Sequence, residues 1–166
     1  MVRTVQLCPI QIRGGFYILL SFALLIIPLQ WLLAWLFAAT FHEMGHVTAI
    51  ISTGHRINSV EIGWRGAKIH TDLLGNREWV CAIAGPLFGL MLVLLVMLFP
   101  RLAVCAFLQT VVNLMPIMPL DGARTIKSSL AIFVKDEMAD QITNLISVVV
   151  SVALVVCMAV LLVTYM

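Results

Sequence analysis

His42, Glu43 and His46 lie inside an apolar stretch over residues 16–54, where ionisable side chains are ordinarily excluded. On a helix, positions 42 and 46 share a face, so both imidazoles project the same way and can bind one metal ion. Glu43 stands three residues before His46 on an adjoining face, where it can exchange protons with a water beside the metal without being a ligand. A hydrolytic zinc site normally takes three protein ligands and keeps a fourth position open, so two histidines leave one ligand to find. Of the eight acidic residues, only Glu43 and Asp121 lie within or at the end of an apolar segment. His55 and His70 fall in a polar loop, with His55 off the metal-binding face. Asp121 is the better third ligand if the chain brings it to the level of the histidines.

The elements that must do so are set by composition. The chain has 166 residues, 62% of them hydrophobic and 11% charged, which predicts an integral membrane protein with no room for an appended soluble domain. Apolar segments cover residues 16–54, 79–99, 102–120 and 142–166. The first is too long for one crossing and divides near Pro28, giving about five transmembrane segments. With five, Arg3, Arg13, Arg56, Arg65, Lys68, Arg77, Arg124, Lys127 and Lys135 fall on one side and only Arg101 on the other. Cytoplasmic loops collect Lys and Arg, so the N-terminus is placed in the cytoplasm. The second and fourth segments then both run toward the cytoplasm and carry the His-Glu-x-x-His turn and Asp121 to the same face. Reading the N-terminus as a cleaved signal peptide would remove the segment bearing the histidines, and no polar mature sequence follows.

The run Asn113-Leu114-Met115-Pro116-Ile117-Met118-Pro119-Leu120-Asp121-Gly122 breaks a helix as it reaches Asp121, and broken backbone at membrane depth must face protein or a water-filled cavity. Asn113 by itself fits a helix-packing role equally well. Ala84-Gly85-Pro86 and Gly89 read as small residues that let helices approach closely. Residues 57–72 alternate partly around Trp64-Arg65-Gly66-Ala67 and fit either a β-hairpin or an irregular loop, while Gly75 and Asn76 supply a turn before the third segment. Cys8, Cys81, Cys105 and Cys157 show no paired spacing and read as small apolar residues. No basic run suggests nucleic-acid binding.

The motifs HEMGH, IAGPLFG and VNLMPIMPLDG, in that order, resemble the site-2 protease family of intramembrane zinc metalloproteases, most closely its bacterial sporulation branch, which processes a membrane-associated pro-sigma factor. The likeness spans residues 16–124, with a C-terminal segment at 142–166. It implies an all-α polytopic membrane fold with a small membrane-associated β-hairpin between the second and third segments. It also implies zinc held by His42, His46 and Asp121, and Glu43 as general base. Asn113 is implied to orient substrate or stabilise the oxyanion, and Pro119 to shape the loop before Asp121. The implied location is the bacterial cell membrane. The implied partners are the lipid bilayer, a membrane-associated protein substrate and regulatory membrane proteins. Against that branch the sequence is expected to lack a sixth segment and the cytoplasmic nucleotide-sensing domain that some relatives append, and its length is expected to exclude a PDZ insertion. Three other functions share some of these residues. They are a divalent-metal transporter, an inactive membrane scaffold and a prenyl-protein endopeptidase, whose third ligand is not expected in an Asp-Gly motif.

Overall fold

The computed structural model describes residues 9–63, 66–71 and 78–165. In chain order these form β1 (Ile10–Ile12), α1 (Gly14–Ile26), α2 (Leu29–Ser52), β2 (Ile57–Gly63), β3 (Gly66–Thr71), α3 (Glu78–Val93), α4 (Pro100–Asn113), α5 (Asp121–Leu130) and α6 (Asp136–Tyr165). Helices dominate, and a small three-stranded sheet joins them.

Pro28 ends α1, as the sequence predicts, because it offers no N–H to continue the ladder; Leu32 then donates to the Pro28 carbonyl to open α2. α2 stops in a Schellman turn. Gly54 takes φ +83°, its N–H bonds the Ile51 carbonyl at 3.0 Å, and the His55 N–H reaches Ile50 O at 3.1 Å. That turn hands the chain directly to β2.

β2 and β3 pair antiparallel from Ile57↔Thr71 to Gly63↔Gly66, forming the hairpin at the expected place. Trp64 and Arg65 of the anticipated turn, and Gly75 and Asn76 further on, lie outside the described residues. The sequence did not reveal a third strand: β1 runs parallel to β2 with Ile10↔Val60 and Ile12↔Ile62 in register. Three residues are too few to show an alternation, and their pairing is entirely long-range. Arg13, next in the chain, donates to the Glu61 carboxylate at 2.8 Å. Ile57 and Ile69 pack against Ile50 and Cys81, so the sheet lies on the adjoining ends of α2 and α3.

A second core joins α2, α3 and α4 through Ala38, Leu92, Cys105 and Ala106. Small residues set the spacing there. A Cβ on Gly45 would stand 2.6 Å from Ala84 O and 2.9 Å from the Phe88 ring, and one on Gly89 would collide with Thr110 Oγ1. Gln109 Nε2 donates to Trp35 O at 2.9 Å, an interhelical bond worth about 0.6 kcal/mol in an apolar medium.

The third and fourth apolar segments form shorter helices than expected. α3 ends at Val93 rather than near residue 99, and Pro100 opens α4 at its first turn, where a missing N–H does no harm. α4 ends at Asn113 because Pro116 disfavours helical backbone at the preceding residue. Residues 121–130 form a separate short helix, α5, and α6 begins at Asp136 rather than residue 142. Among the described residues, only α6 is both long and apolar enough to cross a membrane; α1 and α3 are apolar but have 13 and 16 residues. α2 has 24 residues, but His42, Glu43 and His46 dilute its hydropathy.

Candidate metal centre

His42 and His46 occupy successive turns of α2 and are both buried, on the face turned toward α3 and the start of α5. Gly85 makes that arrangement possible. A Cβ there would stand 2.7 Å from His42 Nε2 and 2.6 Å from His46 Cε1, and closer still to His46 Nε2. Any side chain at position 85 would therefore occupy the space into which both imidazole nitrogens point. The sequence suggested only helix packing for this glycine, because its contact with the imidazoles is long-range.

Asp121 opens α5 and is buried. Its place depends on the turn before it: a Cβ on Gly122 would strike the Leu114 and Met115 carbonyls, so glycine lets the first turn of α5 fold back against residues 114–115. The Met118 N–H donates to Ser147 Oγ at 3.1 Å, tying the same loop to α6. The peptide bond between Met118 and Pro119 is cis.

These constraints bring three atoms together. Asp121 Oδ2 lies 2.9 Å from His42 Nε2 and 3.1 Å from His46 Nε2, and the two Nε2 atoms are 3.2 Å apart. Among the described residues, His42, His46 and Asp121 form the cluster able to hold a metal ion, and all three are buried. Asn113 is adjacent, with Nδ2 3.4 Å from His42 Nε2. Glu43 contributes no atom to the cluster but lies within electrostatic reach of His46, His42, Asp121 and Arg124. His55 instead bonds Thr53, and His70 faces Glu61 at 3.8 Å, so the structure leaves both outside the site.

The chemistry of the donor set fits a cation. His46 Nδ1 lies 2.7 Å from Cys81 O; a carbonyl only accepts, so Nδ1 carries the proton. In the neutral imidazole, Nε2 is then an acceptor facing a carboxylate oxygen, itself an acceptor. His42 Nε2 makes the same approach to Asp121 while Asn113 offers it an amide hydrogen. His46 Nε2 and Asp121 Oδ2 thus meet as two acceptors with no proton between them, and a shared cation, with His42 Nε2 as a further donor atom, would satisfy both. Tetrahedral zinc with ligands at about 2.0–2.1 Å needs edges of about 3.3 Å, so the cluster would open by only a few tenths of an ångström. The Cys81 carbonyl has no sequence signature, because any residue could supply it.

Comparison with solved structures identifies the architecture. The chain resembles the site-2 protease from Methanocaldococcus jannaschii, with a TM-score of 0.70 at 19% identity, covering 98% of this chain and 85% of that one. At that identity the likeness shows a shared fold. No protein-family model matches the chain, and no curated protein matches it in sequence.

Proposed function

We propose that the protein is an intramembrane zinc metalloprotease that hydrolyses a peptide bond of a membrane-associated protein near the cytoplasmic face. The observation that carries this reading is the buried convergence of His42 Nε2, His46 Nε2 and Asp121 Oδ2 beside the non-ligating Glu43. The fold shared with a site-2 protease supports it.

In this reading α1, α2, α3, α4 and α6 are five membrane segments of a single protease domain, with the N-terminus in the cytoplasm of a bacterial cell. The short segments are accommodated by local thinning of the bilayer. His42, His46 and Asp121 would hold zinc, and the chemistry it would supply when bound is polarisation of the scissile carbonyl and acidification of water. Glu43 takes the proton from the attacking water and delivers it to the leaving amine. Asn113 either donates to the oxygen on which negative charge develops or holds the substrate peptide.

A helical substrate hides its peptide bonds and must unwind before hydrolysis. Among the described residues β3 is an outer strand of the sheet, and an outer strand can offer backbone partners to an extended segment. Ile69 on that strand packs against the Ile50 and Cys81 cluster, and the Cys81 carbonyl bonds His46, so the strand and the metal centre share Cys81 as a neighbour. The resemblance in motifs points to a pro-sigma factor or another membrane-tethered regulator as substrate. A metal transporter would need ligands at several depths, whereas the metal-binding cluster among the described residues is a single one.

The test is co-expression with candidate membrane-tethered regulators. Cleavage by the wild type that is lost in Glu43→Gln supports the enzyme, and equal product from both refutes the assigned base. Zinc flux through proteoliposomes that persists in Glu43→Gln would instead favour transport.

A further inference from the structure

Asp121 uses its two carboxylate oxygens differently. Oδ2 meets both histidines, while Oδ1 lies 3.6 Å from Arg124 Nη1, one turn further along α5. The other arm of the same guanidinium, Nη2, lies 3.8 Å from Glu78 Oε1 on the first turn of α3. An acid at the N-terminus of α3 is thus linked through Arg124 to the carboxylate of the metal centre, 43 residues away. The Asp121 side chain is 10% exposed, whereas those of Arg124 and Glu78 are 40% and 34% exposed. The chain of charges runs from the buried cluster outward to solvent.

We propose that Arg124 is a positioning residue that holds Asp121 Oδ1 aside so that Oδ2 is presented to the metal, and that Glu78 positions Arg124. This inference rests on the reading of His42, His46 and Asp121 as zinc ligands. A carboxylate anchored through one oxygen only is free to turn about its last bond, and each turn moves Oδ2 away from the two Nε2 atoms. Arg124 opposes that turn. Its two terminal nitrogens face the two acids at ion-pair distance, so one guanidinium can attract both. A positive charge near a divalent cation also repels it, but Glu78 offsets that charge and leaves orientation as the dominant effect. Groups that orient metal ligands in this way typically change metal affinity 10–100-fold when removed.

The test measures zinc affinity of the purified full chain by competition with a chelator, with thermal unfolding followed in parallel. Arg124→Ala is expected to weaken zinc binding by about 10–100-fold. Arg124→Lys should recover part of that loss, because an ammonium restores the charge without the fork. Glu78→Gln should weaken binding by a smaller factor, and the Glu78→Gln/Arg124→Ala double variant should bind no worse than Arg124→Ala alone. A purely structural role for Glu78 at the α3 terminus predicts additive losses, which would overturn the relay. So would unchanged or tighter zinc binding in Arg124→Ala; if that variant does not fold, unchanged affinity in both Arg124→Lys and Glu78→Gln overturns it equally. A wild-type chain that binds no zinc would overturn the metal centre itself, and the inference with it.

Discussion

The α2–α3 junction and the outer half of α6 are both rich in apolar residues but follow opposite packing rules. At the junction, Gly45, Ala84 and Gly85 bring α2 and α3 close, as Gly89 does for α3 and α4, and the polar groups of His42, His46 and Asp121 are buried beside Gly85. In α6 the buried positions are Ala139, Thr143 and Ser147, four residues apart and all in its first half. Beyond them, Val148, Val152, Val155, Met158 and Leu162 are exposed. Hydrophobicity alone does not separate the two regions; residue size does. Where backbones must meet around polar side chains the chain uses glycine and alanine, and where it meets only its surroundings it uses Val, Leu and Met.

Substitutions can break or sharpen that contrast. The largest effect is expected at Glu43, where Gln keeps the shape but removes the base. Turnover should fall by about 10²–10⁴-fold with zinc content unchanged, measured by single-turnover cleavage and metal analysis. Next is Gly85→Ala, whose added methyl enters the space of both imidazole nitrogens. Zinc affinity should fall by about 10–100-fold in chelator competition, although alanine is normally the better helix former. If Gly85→Ala binds zinc as the wild type does, close packing at the junction is not what holds the histidines.

Asn113→Ala should lower activity by about 10²-fold. A loss confined to kcat assigns Asn113 to the developing oxyanion, whereas a rise in KM assigns it to substrate holding. Weakest of all should be Val155→Leu on outer α6, shifting stability by no more than about 0.5 kcal/mol in an unfolding titration. A large destabilisation there would mean that this face is packed against protein and would erase the contrast.

The sequence revealed the local features of the site and little of what supports it. The spacing of His42 and His46 follows from helical periodicity, and the placement of Asp121 at the same level follows from the charge asymmetry of the loops. Pro28 and Pro116 mark helix boundaries, the first by lacking an N–H and the second by disfavouring helical backbone before it, whereas the ends of the third and fourth helices are hidden because apolar residues continue through the turns at 94–98 and 114–120. β1 was not legible, since three residues show no period and their partner lies some 50 residues away in sequence. The contact of Gly85 with the imidazoles, the Cys81 carbonyl and the Glu78–Arg124–Asp121 chain depend on long-range geometry. Small size, a backbone oxygen and a common charge carry no spacing signal of their own.

In the proposed reading His42 and His46 form one zinc centre with Asp121, 75 and 79 positions further along the chain, served by a separate base. The most direct measurement is the metal content of the purified wild type, Asp121→Ala and Glu43→Gln, each also assayed for cleavage of the same membrane-tethered substrate. One zinc per wild-type chain is predicted, with zinc lost in Asp121→Ala, zinc retained in Glu43→Gln, and cleavage absent from both variants. Full zinc occupancy in Asp121→Ala, or wild-type cleavage by Glu43→Gln, would contradict it.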